Sequence, residues 1–282
     1  EICACLVGSE MCIRDRSTIL TKGVYHYGDW AYKCWLYNQN GGTHGRIDVT
    51  EAIKVSCNYF FYDIGRRTGI STIARYASAF GLGEPTGIEI PEKIGVMTTP
   101  DYVNSLDGHY WTDGQTLTAA IGQSYDLFTP LQLANYIATL VGSGQHYEAH
   151  LLKNVKSYDN SSVIYAYDKA PLNTVEMSDS TLQAVKEGMH NLTTGSLSYY
   201  FSNCVVSAGA KTGTAETGIA NTNNGVFVCF APYDDPQIAV AVVIEKGGSG
   251  AALASTAVDI VNSYFSQEEI GAVVIGENTL LK

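Results

Sequence analysis

Two apolar runs late in the chain, residues 226–231 and 238–244, are joined only by Pro232-Tyr-Asp-Asp-Pro236 and Gln237. A parallel pair needs a crossover of a dozen residues or more, so this linker leaves antiparallel pairing. Just upstream, Ala210-Lys211-Thr212-Gly213-Thr214-Ala215-Glu216 lies between Val205-Val206, which reads as a strand approach, and a polar loop over 219–225. The Lys-Thr-Gly segment is therefore expected beside the pair, at an edge of the same sheet. Residues 251–265 carry Leu253, Ala257, Ile260, Val261 and Tyr264 at helical spacing, and a helix there is expected to cover one sheet face. An edge strand with this sequence offers a fixed ammonium at Lys211 and hydroxyl donors at Thr212 and Thr214. Gly213 has no side chain, so an extended peptide can lie against it.

The rest of the chain alternates helices with loops. Residues 18–45 are rich in glycine and aromatics, among them Tyr25, Trp30, Trp35 and Tyr37. They read as a loop with short strands, packed against the domain or open to sugar rings. Asp48-Val-Thr-Glu51 has capping-box spacing, and a short helix carries Ala52, Ile53 and Val55 to Ser56-Cys57-Asn58. A helical pattern resumes over 59–64, closed by Gly65. Another runs from Ser71 through Ile73, Tyr76, Ala77 and Phe80 to Gly81-Leu-Gly83. Residues 84–113 hold Pro91 and Pro100 and read as mostly loop. Gly122-Gln123-Ser124 precedes Thr129-Pro130-Leu131-Gln132, a strong helix start with Leu133, Ile137 and Leu140 on one face and Gly142 at its end. Residues 151–167 alternate like a hairpin turning at Asp159-Asn160, and Ser178 caps a helix with Leu182, Val185 and Met189. Helices before and after an antiparallel sheet make the expected class α+β.

A net charge of −11 argues against nucleic acid as a partner, since phosphate binding needs clustered Lys and Arg. Apolar residues make up 45% and charged residues 16%, a globular composition. No apolar run reaches membrane-spanning length. The cysteines are Cys3, Cys5, Cys12, Cys34, Cys57, Cys204 and Cys229, with no zinc-like spacing, and no His pairs with a Cys or carboxylate at ligand spacing. Neither a metal nor a cofactor is expected. Cys57 reads as a packing residue. A Cys34–Cys57 disulfide stays open at this stage. Residues 1–16 lack helical or strand period, and 7–16 resemble a translated sequencing adapter, so they are set aside as a non-native leader. The domain is then 17–265, with 266–282 as a tail.

Four stretches, in order, resemble the transpeptidase domain of class B penicillin-binding proteins. They are residues 45–62 around Ser56-Cys57-Asn58, Phe80-Gly-Leu-Gly-Glu-Pro-Thr-Gly-Ile-Glu-Ile-Pro91, Ala120-Ile-Gly-Gln-Ser124 with Thr129-Pro-Leu-Gln-Leu-Ala-Asn135, and Lys211-Thr-Gly-Thr-Ala-Glu216. Each tripeptide is weak alone, and the ordered set is specific. The middle stretches separate class B transpeptidases from β-lactamases and small carboxypeptidases. The resemblance implies the penicillin-binding, β-lactamase-like fold, with an antiparallel sheet, flanking helices and a mainly helical subdomain.

The resemblance also implies a serine D,D-transpeptidase that cross-links peptidoglycan stem peptides ending in D-Ala-D-Ala and is acylated by β-lactams. Ser56 would relay the proton. Asn58 would bond a substrate amide and orient the catalytic lysine. Lys211 would raise the local positive potential. Thr212 and Thr214 would hold the terminal carboxylate beside Gly213, and the Thr214 N–H would form half of the oxyanion hole. Gln123 would contact substrate, although the family has a second glycine where this chain has Ser124. The implied setting is the extracytoplasmic face of a bacterial membrane, on a membrane-anchored parent of the elongation type, with a membrane glycosyltransferase as partner.

One element of the pattern is missing. No serine in the 282 residues has a lysine three positions later; Ser17 is followed there by Leu20 and Ser56 by Tyr59. The family's Ser-x-x-Lys nucleophile precedes the Ser-x-Asn element, where this chain carries its leader. The expectation is a truncated enzyme, inactive as it stands. The competing class is a non-catalytic stem-peptide scaffold or a β-lactam sensor of the same fold. A sensor keeps the nucleophile, and a scaffold has no need of Ser56, Asn58 and Lys211 together.

Overall fold

The computed structural model describes residues 17–167, 170–219 and 222–271, the last five by backbone alone. The leader over 1–16 and tail residues 272–282 lie outside them. The chain enters through β1 (Ile19–Thr21), then β2 (Val24–Tyr27) and β3 (Trp30–Lys33), which pair antiparallel, and a short helix α1 (Trp35–Asn40). Strand β4 (Gly45–Ile47) returns to pair with β1. The aromatics of this segment pack against the domain. The Tyr25 ring lies 5.1 Å from that of Tyr59, and the Tyr32 ring lies 5.6 Å from that of Tyr62.

Helix α2 (Val49–Lys54) starts where the Asp48 carboxylate accepts the Glu51 N–H. Helix α3 (Asn58–Thr68) runs past Gly65, which was expected to close it. A Cβ on Gly65 would lie 2.3 Å from the Ala120 Cβ, so this glycine serves a close helix approach, and the stop is Gly69 at φ 79°. Helix α4 (Ile70–Ala79) follows, burying Ile70, Ile73 and Ala77.

The stretch read as mostly loop contains a helix, α5 (Pro100–Ser105). Its proline stands in the first turn, where no N–H is needed, and the Thr99 hydroxyl accepts the Tyr102 N–H. After α6 (Gly114–Ala120), α7 (Pro130–Val141) opens with the expected capping box. The Thr129 hydroxyl accepts the Gln132 N–H at 3.2 Å, and Gln132 Oε1 accepts the Thr129 N–H at 2.9 Å. The same buried side chain donates to the carbonyls of Glu84 and Ile94, tying down the loop between them.

Strands β5 (Gln145–His146), β6 (Asn154–Lys156), β7 (Val163–Ala166) and β8 (Asn173–Thr174) form two small ribbons. The β6–β7 hairpin turns as expected, with Asn160 at φ 58°. Helix α8 (Asp179–Thr194), capped by the Ser178 hydroxyl, and α9 (Ser198–Phe201) lead to the sheet. Val205-Val206 is a bend and not a strand. The Val205 N–H donates to Asn262 Oδ1, which removes it from any ladder.

The sheet comprises β9 (Gly209–Ala215), β10 (Asn224–Ala231) and β11 (Ile238–Ile244), all antiparallel, in the order β11–β10–β9. The Lys-Thr-Gly strand is at the edge, as expected, with Lys211 opposite Val228 and Gly213 opposite Val226. Central β10 is buried on both faces. Its Phe227 and Cys229 join the cluster under α10 (Ala254–Gly271), while Val228 and Phe230 join Ile137, Leu140, Val185 and Met189 of α7 and α8. Truncating Phe227 or Phe230 to alanine costs roughly 3–5 kcal/mol by the usual cavity effect. Helix α10 covers its face with Ala254, Ala257, Val258 and Val261, entered through a 3-10 turn at Gly250–Leu253. Ile260 falls outside that stripe at 40% exposure, contrary to expectation, and Tyr264 is half-buried. The helix also continues to Gly271, past the boundary expected at 265. The class is α+β.

Candidate active site

The Ser-x-Asn element is built from a helix end. Beyond α2, the Cys57 N–H donates to the Ala52 carbonyl at 3.0 Å and the Ser56 N–H to the Ile53 carbonyl at 3.3 Å. This is the paired bonding of a Schellman turn, and Ser56 takes its left-handed position at φ 48°. Glycine is usual there, because a Cβ in that conformation costs roughly 1–2 kcal/mol. The carbonyls of Val55 and Ser56 both accept the Trp35 indole N–H, at 3.1 and 3.0 Å.

From the other side, Lys211 Nζ of β9 donates to Ser56 Oγ across 155 residues of sequence. The lysine is 5% exposed and also donates to the Thr212 carbonyl at 3.0 Å. Asn58, half-buried, opens α3 two residues beyond Ser56. Ser56 and Lys211 thus meet as expected, with Asn58 next to the turn.

Gln123 joins them. Its amide donates to the Thr214 carbonyl at 3.3 Å, bridging the loop after α6 to the edge strand. That loop has two left-handed residues, Gly122 at φ 77° and Ser124 at φ 72°. The second is a conformation that glycine adopts without strain and serine does not. The loop is clamped through buried Thr98. The Thr98 N–H donates to Asp126 Oδ1 at 2.7 Å, and the Thr98 hydroxyl accepts the Tyr125 N–H at 3.0 Å. Burial pushes the Asp126 carboxyl up to about 6, against the hydrogen bonding from Thr98. Thr212 and Thr214 alternate with Lys211 along β9, and the Thr214 hydroxyl accepts the Gly250 N–H at 3.3 Å. A Cβ on Gly250 would lie 2.2 Å from the Gly213 carbonyl oxygen, so this contact requires glycine.

Cys57 is fully buried, as a packing residue should be, but it has company. Cys34 Sγ lies 3.7 Å from His44 Nδ1, and the donor atoms of Cys34, His44 and Cys57 all lie within 4.8 Å of one another. The expectation that no histidine pairs with a cysteine is corrected here. Loops separated in sequence bring the three together, which spacing does not reveal. Both thiols are free, so there is no Cys34–Cys57 disulfide. The two share a hydrogen bond that lowers the Cys34 pKa against burial and raises that of Cys57 along with burial. Two sulfurs and an imidazole form a donor set that suits a soft divalent cation such as zinc, with one coordination position left over.

Sequence reasoning did not single out His44 or Asp126, and it read Trp35 only as one of an aromatic cluster. Trp35 and His44 act at distances of 10 to 21 residues along the chain, with no periodic signal.

The family model described as the penicillin binding protein transpeptidase domain matches residues 6–264, beginning inside the segment read as a leader. The peptidoglycan D,D-transpeptidase MrdA of Salmonella typhimurium is 29% identical over 242 residues, which are 79% of this chain and 37% of the relative. The chain therefore spans little more than a third of the length of such relatives. The structure of Pseudomonas aeruginosa PBP2 in complex with WCK 5153 matches with a TM-score of 0.77 and 26% identity, over 99% of this chain and 61% of that one. PBP2 of Helicobacter pylori in its complex with MreC shares the fold with a TM-score of 0.76 at 24% identity, over 94% and 49%. With a family match over most of its length and these folds beside it, the chain belongs to the transpeptidase domains of class B penicillin-binding proteins.

Proposed function

We propose that this chain supplies the proton-relay and substrate-anchoring part of a serine D,D-transpeptidase acting on peptidoglycan stem peptides. The contact of the Lys211 ammonium with Ser56 Oγ, at the open edge of β9, carries this reading. In the reaction, a serine hydroxyl attacks the carbonyl between two terminal D-alanines. The C–N bond breaks, D-alanine leaves with the proton, and an amine of a neighbouring stem takes the acyl group. Ser56 passes the proton to the leaving nitrogen. Lys211 holds the Ser56 hydroxyl and places positive charge by the developing oxyanion. Asn58 bonds the substrate amide and steadies the catalytic lysine. Thr212 and Thr214 take the terminal carboxylate, the Thr214 N–H contributes to the oxyanion hole, and Gln123 braces this strand while facing substrate.

The nucleophile and its base belong to a Ser-x-x-Lys segment that residues 1–282 do not contain. The proposed setting is the outer face of a bacterial cell membrane, beside a membrane glycosyltransferase. Among the described residues no helix is long and apolar enough to cross a membrane.

The test is a titration of the chain with diacetyl-Lys-D-Ala-D-Ala, followed by NMR. Saturable shifts at residues 56–58 and 211–214 are expected, with at least tenfold weaker binding for Lys211→Ala. Equal response to the L-Ala-L-Ala peptide would sink the proposal.

A further inference from the structure

The left-handed serine is gripped by a side chain to which the proposed chemistry gives no part. A Schellman turn satisfies the carbonyls of Ala52 and Ile53 and leaves those of Val55 and Ser56 to find donors elsewhere. One donor serves both, the Trp35 indole N–H. Its own position is fixed. Cys34, the residue before it, donates its N–H to the Gly23 carbonyl at 2.8 Å, and the Trp35 ring lies 5.5 Å from that of His44. Trp35 is 43% exposed, so its covered surface contributes to its placement alongside these bonds. What the turn takes from Trp35 is a hydrogen bond to each of two carbonyls.

The geometry points to Trp35 as a positioning residue: its N–H fixes the turn at residues 55–57 and so aims the Ser56 hydroxyl at Lys211. The claim rests on Ser56 being the proton relay. Without the N–H, two carbonyls turn to water and a strained residue loses its restraint. Serine then has access to the ordinary right-handed and extended regions, in which its hydroxyl leaves Lys211.

The experiment uses the full-length gene product and measures its acylation rate by fluorescent penicillin across pH 5–9. Two variants are compared: Trp35→Phe, and a chain with 3-benzothienylalanine at position 35, which has the shape of tryptophan and no N–H. Both are expected to acylate at least tenfold more slowly, with a displaced pH profile and a melting temperature close to wild type. In a Ser56→Ala background, Trp35→Phe should add nothing further. Wild-type rates and profile in both variants would overturn the inference. So would loss in Trp35→Phe alone, which would assign the effect to the ring. If the wild-type protein is not acylated at all, the transpeptidase reading fails, and crystal structures decide the positioning claim separately. Trp35→Phe with the Ser56–Lys211 contact intact refutes it, and loss of that contact supports it.

Discussion

Among the described residues Ser56, Ser124 and Ser143 stand in the left-handed region, and the first two should answer substitution with opposite signs. Ser124 at φ 72° is exposed, whereas Ser56 at φ 48° accepts a hydrogen bond from the Lys211 ammonium. Ser124→Gly removes roughly 1–2 kcal/mol of backbone strain and returns about 0.5–1 kcal/mol of chain entropy, for a small net gain. A melting temperature higher by about 1–3 °C is expected in differential scanning calorimetry. Ser56→Gly relieves the same strain but deletes the acceptor of a buried lysine, a bond of about 1.5–3 kcal/mol. Its melting temperature should fall by a few degrees. If it rises as Ser124→Gly does, the Ser56–Lys211 bond contributes nothing to stability. The letters Ser-x-Asn and Lys-Thr-Gly were enough to find this pair, because they name the chemical groups. They were silent on φ, so the strain at Ser56 was not legible. The Trp35 bond and the cluster of Cys34, His44 and Cys57 were hidden too, since each is a contact between distant loops that leaves no local pattern.

Among the elements, the loop between α6 and α7 shows how a partly buried group sets pH dependence. Asp126 has an unfolded pKa in the ordinary aspartate range and a folded value of about 6, raised mainly by burial. A raised carboxyl favours folding only while protonated. Its contribution is complete below about pH 4 and is lost as pH rises through about 6. Asp126→Asn keeps an oxygen for the Thr98 N–H and removes the charge, so it should stabilise the fold at pH 7.5, by an amount of the order of 1–3 kcal/mol. The advantage should vanish below pH 4 when melting temperature is followed against pH. A variant equally stabilised at pH 3.5 and 7.5 would show that the carboxyl does not titrate in this window. Elements with strong end signals were legible: Asp48, Thr129 and Ser178 cap the helices assigned to them. Errors came where one residue type has two uses. Pro100 starts a helix where it was read as a breaker, and Gly65 permits a helix contact where it was read as a stop.

For the whole molecule, the question is whether Ser56 can serve as nucleophile in residues 1–282. Lysine and serine are in contact, which resembles an activated pair, but a lysine ammonium has three donors and no acceptor. Lys211 Nζ donates to Ser56 Oγ, and a nucleophilic serine needs a base that accepts its proton. The fold itself reinforces this. Lys211 is 5% exposed, held between the sheet and the turn after α2, with a second bond to the Thr212 carbonyl. It serves as a fixed cation, suited to binding an anion and to supporting a relay. Residues 1–282 are therefore expected to give no stoichiometric adduct with benzylpenicillin by intact-mass spectrometry. A chain carrying a class B Ser-x-x-Lys helix ahead of residue 17 should give one adduct. In that longer chain, Lys211→Ala should slow acylation by at least a hundredfold, about 2.7 kcal/mol of transition-state stabilisation, since it removes both the cation and the partner of Ser56. Asn58→Ala should slow it as well. An adduct on residues 1–282 that disappears in Ser56→Ala would instead make Ser56 the nucleophile and Lys211 its base.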